Sequence, residues 1–257
     1  MDIDADIAAC ADLVARGDPP RFRATMAAPV ALRPMLFPLY AFNLEVARAP
    51  WVTQEPMIAL MRLQWWRDAL EEIASGAVVR RHEVVTPLAA ALDAQAARAL
   101  DDLVAAREAD VQAEAPADLD TLGRYVDRTA GTLLWTAARL AGAPDEATAR
   151  DAGLAQGIAG YLEAVPALVA KGRHPLPHGD PADHAERLAA QALEALARFR
   201  AARVPAAARP VFLVLPEAES ILRRIAAEPG RVLDPPPPEP GLKTRLALGL
   251  RAALGKP

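Results

Sequence analysis

One cysteine, few aromatic residues and no long apolar run set the first limits on this chain. Cys10, the single cysteine, excludes an intrachain disulfide and a thiolate zinc cage, and a reducing compartment fits. Aromatic residues make up 5% of the 257 positions, and β-branched runs are scarce, which argues against a sheet protein. No uninterrupted apolar stretch approaches the roughly 18 residues of a membrane span. The first residues, Met1 to Asp6, offer neither a basic segment before an apolar one nor a basic, acid-free leader. Neither a signal peptide nor a transit peptide is therefore expected. The net charge is −4, and no face rich in lysine and arginine points to nucleic acid. Gly-rich phosphate loops, Ser-His-Asp orders and dinucleotide fingerprints are missing as well.

What is present is alanine, together with frequent helix punctuation. Hydrophobic residues reach 53%, much of that alanine, a strong helix former. Asp6–Arg16 reads as a helix closed by Gly17 and Pro19-Pro20, and Arg21–Ala28 as a short one. Prolines 29, 34 and 38 predict an irregular or kinked Pro29–Pro38, followed by a helix over Leu39–Ala49. Pro56–Ser75 reads as a long amphipathic helix stopped by Gly76. Thr86–Val111 reads as one helix or two, then Asp118–Leu140 and Asp145–Lys171, the last kinked at Pro166. Asp183–Arg203, Glu217–Ala227 and Glu239–Leu254 complete the set. The tetraproline Pro235–Pro238 favours an extended polyproline segment before the terminal helix. With no internal repeat and no second composition regime, one all-α domain over 1–257 is expected.

Several segments resemble the squalene/phytoene synthase family. Leu39 to Trp51, opening on Tyr40-Ala41-Phe42, is similar to the family's first signature helix. Trp65-Trp66-Arg67 with Leu70, and Tyr125 with Ala130-Gly131, resemble two further family helices. Gly153 to Gly157, running on to Lys171-Gly172-Arg173 and Leu176-Pro177, is similar to the second signature. Ala41–Glu45, Leu60–Trp66 and Ala155–Ile158 fit the family's respiratory complex I assembly-factor branch better than its synthases. The resemblance implies an isoprenoid synthase-like helical bundle around a central cavity. Ala130, Gly131, Gly153, Gly157 and Gly160 are expected to leave room in that cavity.

In active members of that family, aspartates one turn apart on both signature helices hold Mg²⁺ on a prenyl diphosphate. Carboxylates three or four residues apart share a helix face, and Mg²⁺ requires oxygen ligands in near-octahedral geometry. Here the matching positions are Ala47, Arg48 and Trp51 on the first helix, and Gly160, Ala164 and Leu168 on the second. None supplies a carboxylate, and Arg48 would repel a cation or attract a phosphate. The expectation is that metal ligands, and with them catalytic residues, are gone. Tyr40, Arg48, Arg128, Gly131, Gln156, Lys171 and Arg173 are candidates for the cavity wall or an anion grip. Arg48 also has a plainer reading as the partner of Glu45, one turn earlier.

Other clusters have simpler readings. Asp68, Glu71 and Glu72, like Asp101, Asp102 and Glu108, read as solvated helix faces. His174, His178 and His184 with Asp180 and Asp183 match no helical metal spacing. One of Trp65 and Trp66 packs inside, and Cys10 reads as an inert thiol.

The resemblance implies a non-catalytic assembly factor or chaperone for respiratory complex I, in contact with its subunits or with other assembly factors. An apolar isoprenoid-like ligand is the expected occupant of the cavity. The alternative is a Mg²⁺-dependent prenyltransferase with displaced ligands; otherwise no cofactor is expected. The expected location is cytoplasmic, with peripheral contact to the inner membrane left open.

Overall fold

The computed structural model describes residues 3–236 and 242–254, apart from 54, 113 and 144. The described residues form helices and connecting turns, with no strand among them. Along the chain come α1 (Ile3–Gly17), α2 (Pro19–Ala27), α3 (Arg33–Arg48), α4 (Pro56–Ser75), α5 (Val85–Ala91), α6 (Ala94–Arg107) and α7 (Ala109–Gln112). They are followed by α8 (Leu119–Val126), α9 (Thr132–Leu140), α10 (Glu146–Ala170), α11 (Pro181–Ala201), α12 (Leu215–Ala227) and α13 (Leu242–Ala253).

Aspartates set many of the starts. Asp18, Asp93, Asp118, Asp145 and Asp180 each accept a hydrogen bond from a backbone N–H in the first turn of the helix they open. Asp93 explains why Thr86–Val111 breaks between α5 and α6. Leu92 is extended and Asp93 restarts the chain as a cap. Gly76 closes α4 in the left-handed conformation, with φ 71°, which a side chain would strain.

Proline governs less than the sequence suggests. Pro29–Pro38 is not irregular: a 3₁₀ turn at Val30–Leu32 leads straight into α3, which runs through Pro38. Leu36 to Asn43 are all buried, and that packing outweighs the hydrogen bond Pro38 cannot make. Two members of the tetraproline, Pro237 and Pro238, and the start expected for the last helix at Glu239, lie outside the described residues.

The hydrophobic core runs from Cys10 to Val232 and draws on α1, α3 to α6 and α8 to α12. α3, bearing the first signature, packs on α1, α2, α5 and α9; α10, bearing the second, packs on α8, α9, α11 and α12. By length and composition α10 could cross a membrane, which the interrupted apolar pattern did not suggest. Here its Ala149, Ala152, Ala155, Ile158, Leu162 and Val165 stripe is buried in the core.

The five small residues divide between two duties. α8 and α9 are joined by a π-helical turn, Asp127–Gly131, against which α10 lies. A Cβ on Gly153 would sit 2.6 Å from Gly131 Cα and 2.9 Å from the Ala130 carbonyl oxygen. A Cβ on Gly157 would sit 2.5 Å from the Ala130 and Val126 side chains. Gly131 and Gly153 therefore permit a close helix crossing and do not line the cavity; Gly157 and Ala130 serve both the crossing and the cavity wall, and Gly160 lines the wall alone.

This separates two substitutions on one helix. Gly153→Ala drives a methyl group into backbone and is expected to cost about 1–3 kcal/mol. Gly160→Ala would meet only Gln156, at 3.9 Å, and is expected to gain up to about 1 kcal/mol from helix propensity. Urea denaturation of both variants checks the contrast; equal midpoints would contradict the crossing.

A second prediction concerns acid. Arg200 and Arg223 both bond Glu219, tying α11 to α12. The Arg200 bond foremost, helped by Arg223, lowers the Glu219 carboxyl to about 2 from an ordinary 4.5. A depressed folded-state value contributes stability above pH 4.5 that is lost as pH falls toward 2. Glu219→Gln should therefore flatten that part of the stability–pH curve, read by thermal unfolding from pH 5 to 2.5; an unchanged slope would contradict the tie.

Candidate functional site

Between α3 and α10 lies a cavity of about 770 Å³. Asn43, Ala47 and Trp51 reach it from one side at four-residue intervals, the last from the 3₁₀ turn Ala49–Trp51 that follows α3. Gln156, Gly160, Ala164 and Leu168 face it from α10 with the same spacing. Five of the six positions matched to family aspartates thus lie on the cavity wall.

Arg48 is the exception. It sits off the stripe with its side chain 58% exposed, and its guanidinium donates to Glu45 at 2.9 Å. It is not among the residues that line the cavity. Arg128 is exposed on the π-helical turn, and Gly131 is taken up by the helix crossing. Tyr40 is buried behind the wall, with the Arg21 guanidinium 5.4 Å above its ring. Burial pushes its phenol up to about 12. Of the seven candidates, Gln156 and Arg173 line the cavity, and Lys171 stands at its edge.

Trp51 is held by two cations from the segment that follows α10. Lys171 Nζ lies 4.9 Å and the Arg173 guanidinium 4.6 Å from its ring centroid. Each such contact is worth about 0.5–1 kcal/mol at an exposed site, and more when desolvated. The contacts tie the turn after α3 to the segment after α10, and Trp51 and Arg173 both line the cavity.

The cavity is not stripped of acids, contrary to what the signature positions alone suggest. Asp18, Asp110, Glu114, Glu163 and Glu217 all reach its wall from elsewhere in the chain. Four are bound to arginines. Asp18 pairs with Arg21; Glu217 pairs with Arg23 at 2.7 Å and Glu163 with Arg224 at 3.0 Å. Burial holds the Glu163 carboxyl above its ordinary value. Asp110 accepts from the Tyr125 hydroxyl at 2.8 and 2.9 Å and from Arg107 at 3.3 Å. Arg107 also donates to the Tyr125 oxygen at 2.6 Å, and Arg173 donates to the Asp110 carbonyl at 2.9 Å. Burial pushes the Tyr125 phenol upward and Asp110 adds to the shift, so it stays a donor. Arg21 donates its remaining terminal nitrogen to Gln156 at 2.5 Å, joining α2 to α10.

Arg21 and the Arg107–Asp110–Tyr125 group were not predicted from sequence. Asp18-Pro-Pro-Arg21 reads first as a helix stop, although an aspartate three residues before an arginine is also a cap signal. Asp110 falls in what looks like the tail of a longer helix.

Mg²⁺ requires several oxygen ligands in near-octahedral geometry. The two facing stripes offer no carboxylate, and the paired carboxylates that do reach the wall spend their charge on guanidinium groups. Among the described residues no group of three or more His, Cys, Asp or Glu could share a metal ion. The residues present do not fit the ion.

The remaining clusters have structural duties. Glu72 is bound by Arg80, and Asp101 and Glu108 by Arg67. Asp180 caps α11, and His184 lies 3.3 Å from the His178 carbonyl; only His174 of the three histidines lines the cavity. Trp66 is buried against Phe42, and Trp65 lies under Arg80. Cys10 is fully buried, and its thiol is pushed up to about 12, chiefly by burial.

The family model for squalene/phytoene synthase matches residues 14–184. The chain belongs to the squalene/phytoene synthase family. It is similar along 98% of its length to the crystal structure of a dehydrosqualene synthase, covering 96% of that chain with a TM-score of 0.72 and 15% identity, a likeness of fold. Among curated proteins, the cattle "NADH dehydrogenase (ubiquinone) complex I, assembly factor 6" is 27% identical over 172 residues, 61% of this chain and 48% of that protein. The Drosophila melanogaster homolog is 30% identical over 166 residues, 61% and 50%. The rat protein is 26% identical over 252 residues, 84% and 72%. The chain spans about half the length of the cattle and fly relatives.

The hydroxyl of Tyr125 links Arg107 to Asp110, so Tyr125→Phe should lose about 1–3 kcal/mol. Tyr161→Phe forfeits only the bond to the Pro175 carbonyl, 2.7 Å long, and should lose about 1 kcal/mol. Chemical denaturation of the pair decides; no difference from the parent in Tyr125→Phe would mean the network is not coupled to folding.

Proposed function

We propose that this chain is a non-catalytic member of its family that helps assemble respiratory complex I. One observation carries the reading: the faces that would have to hold Mg²⁺ between the signature helices present Ala47, Trp51, Gly160, Ala164 and Leu168. Ionising a prenyl diphosphate separates a carbocation from a highly charged leaving group, and divalent ions are needed to neutralise that charge as it develops. Alanine, glycine, leucine and tryptophan side chains cannot gather them. The similarity to proteins named as complex I assembly factors supports the role in place of chemistry.

The retained cavity binds an apolar, isoprenoid-like molecule on this reading. Its wall combines Ala47, Ala130, Leu122, Val126, Leu168 and Ile221 with carboxylates of which four, Asp18, Asp110, Glu163 and Glu217, are paired with arginines. The chain works in the cytoplasm beside the inner membrane, in contact with complex I subunits or other assembly factors.

The test is NADH:ubiquinone oxidoreductase activity in membranes from a strain lacking the gene. The expected result is a marked loss, restored by a plasmid copy; normal activity would overturn the assembly role. The prenyltransferase alternative is checked separately. Purified protein incubated with Mg²⁺ and farnesyl or geranylgeranyl diphosphate should release no diphosphate, and Mg²⁺-dependent turnover would overturn the non-catalytic reading.

A further inference from the structure

Three residues of the cavity wall are both polar and buried: Arg21, Asn43 and Thr129, at 8%, 7% and 3% exposure. Two of them are satisfied within the chain. Arg21 donates to Asp18 and Gln156, and the Thr129 hydroxyl donates to the Tyr125 carbonyl at 2.8 Å. The Asn43 carboxamide has no hydrogen-bond partner among the described residues. A buried amide without a partner is costly, and asparagine is a poor residue for a helix interior. Leucine would serve packing better at this place on α3. Asn43 instead presents an amide to the cavity.

Gln156 stands on the facing helix with half of its amide open. A guanidinium only donates, so the Gln156 Oε1 faces Arg21 and the NH2 group turns away from it. That nitrogen lies 3.9 Å from where a Cβ on Gly160, the next member of the cavity stripe, would sit. It has no acceptor among the described residues.

Charge around the two amides is balanced. Asp18, Glu163 and Glu217 are met by Arg21, Arg224 and Arg23. Arg107 is bonded to Asp110, while Arg173 is half-buried, donates to the Asp110 carbonyl and stands against exposed Glu114 on the same wall. No surplus of either sign is left to hold a charged head group.

We infer that the apolar occupant of the cavity carries one uncharged oxygen head, a hydroxyl, held between Asn43 and Gln156. A hydroxyl answers both halves of an amide: its oxygen accepts from the NH2 groups of Asn43 and Gln156, and its proton goes to Asn43 Oδ1. A hydrocarbon would leave the amides unanswered, and a diphosphate would bring charge that no unpaired cation meets. The head lies at the inner end of the stripe, since Asn43 is buried while Trp51, about two turns further on, is half-buried. The tail then runs past Ala47, Ala164 and Leu168. This assignment rests on the reading that the cavity takes an apolar, isoprenoid-like molecule.

Three compounds with one tail test it: farnesol, farnesene and farnesyl diphosphate, titrated into the purified chain and followed by tryptophan fluorescence. Farnesol should bind about tenfold more tightly than farnesene, the worth of one hydrogen bond, and the diphosphate no more tightly than farnesene. Asn43→Ala removes the amide and suits a helix; Asn43→Leu removes it and fills the space. In both, the preference for farnesol should vanish while farnesene still binds. Gln112→Ala is the control: Gln112 is an exposed amide on the same wall, and its loss should leave the preference as it was.

Equal affinity for farnesol and farnesene in the parent chain would overturn the head-group assignment and leave the apolar occupant standing. So would a preference that survives both Asn43 substitutions, or tighter binding of the diphosphate. The parent comparison decides even where a variant fails to fold. If none of the three compounds binds, the apolar-ligand reading itself fails and takes this inference with it.

Discussion

The stacking of Lys171 and Arg173 on the Trp51 ring ties the end of the first signature helix to the end of the second. In the synthases this family resembles, metal ions and a diphosphate bridge those helices. Here a ring occupies a position matched to an aspartate, and side chains from the chain itself make the bridge. Cation–π contacts need no divalent ion and no substrate. The ends of the two signature helices are therefore tied together by the chain's own side chains.

The interior follows the same logic. Carboxylates at the cavity wall would attract a cation if they stood free. Instead Asp18, Glu163 and Glu217 meet Arg21, Arg224 and Arg23, and Asp110 is shared between Tyr125 and Arg107. A carboxylate bonded to a guanidinium has spent much of its field, and taking it for a metal would strand a partly buried positive charge. The wall is polar in places yet close to neutral. That suits a mainly apolar guest better than a diphosphate.

Much of this was legible in the sequence, for physical reasons that can be named. Gly17, Pro56, Gly76 and Gly142 punctuate helices by mechanisms that act locally, so the stop of α1 and both ends of α4 could be read directly, whereas α1 begins at Ile3, three residues before the expected Asp6. The resemblance to the signature helices marked Ala47, Trp51, Gly160, Ala164 and Leu168, their four-residue spacing kept each set on one face, and the structure turns those faces to the cavity. Arg48 had two readings, and its pairing with Glu45 follows from the helical neighbour rule. What sequence spacing could not give was anything built from distant segments. The Arg21–Gln156 bond spans 135 residues, and the close approach of Gly131 to Gly153 depends on how two helices cross. A stripe of small residues looks the same whether it makes room for a ligand or for another helix. The unbroken passage of α3 through Pro38 was hidden because only tertiary burial outweighs the missing hydrogen bond.

The claim beneath all of this is that the two signature helices no longer form a metal site. A crystal soaked with magnesium and a non-hydrolysable farnesyl diphosphate analogue puts it to the most direct test. The account predicts no ion between α3 and α10, with Trp51 still held by Lys171 and Arg173. A cluster of magnesium ions bridging those helices through the analogue's phosphates would contradict it.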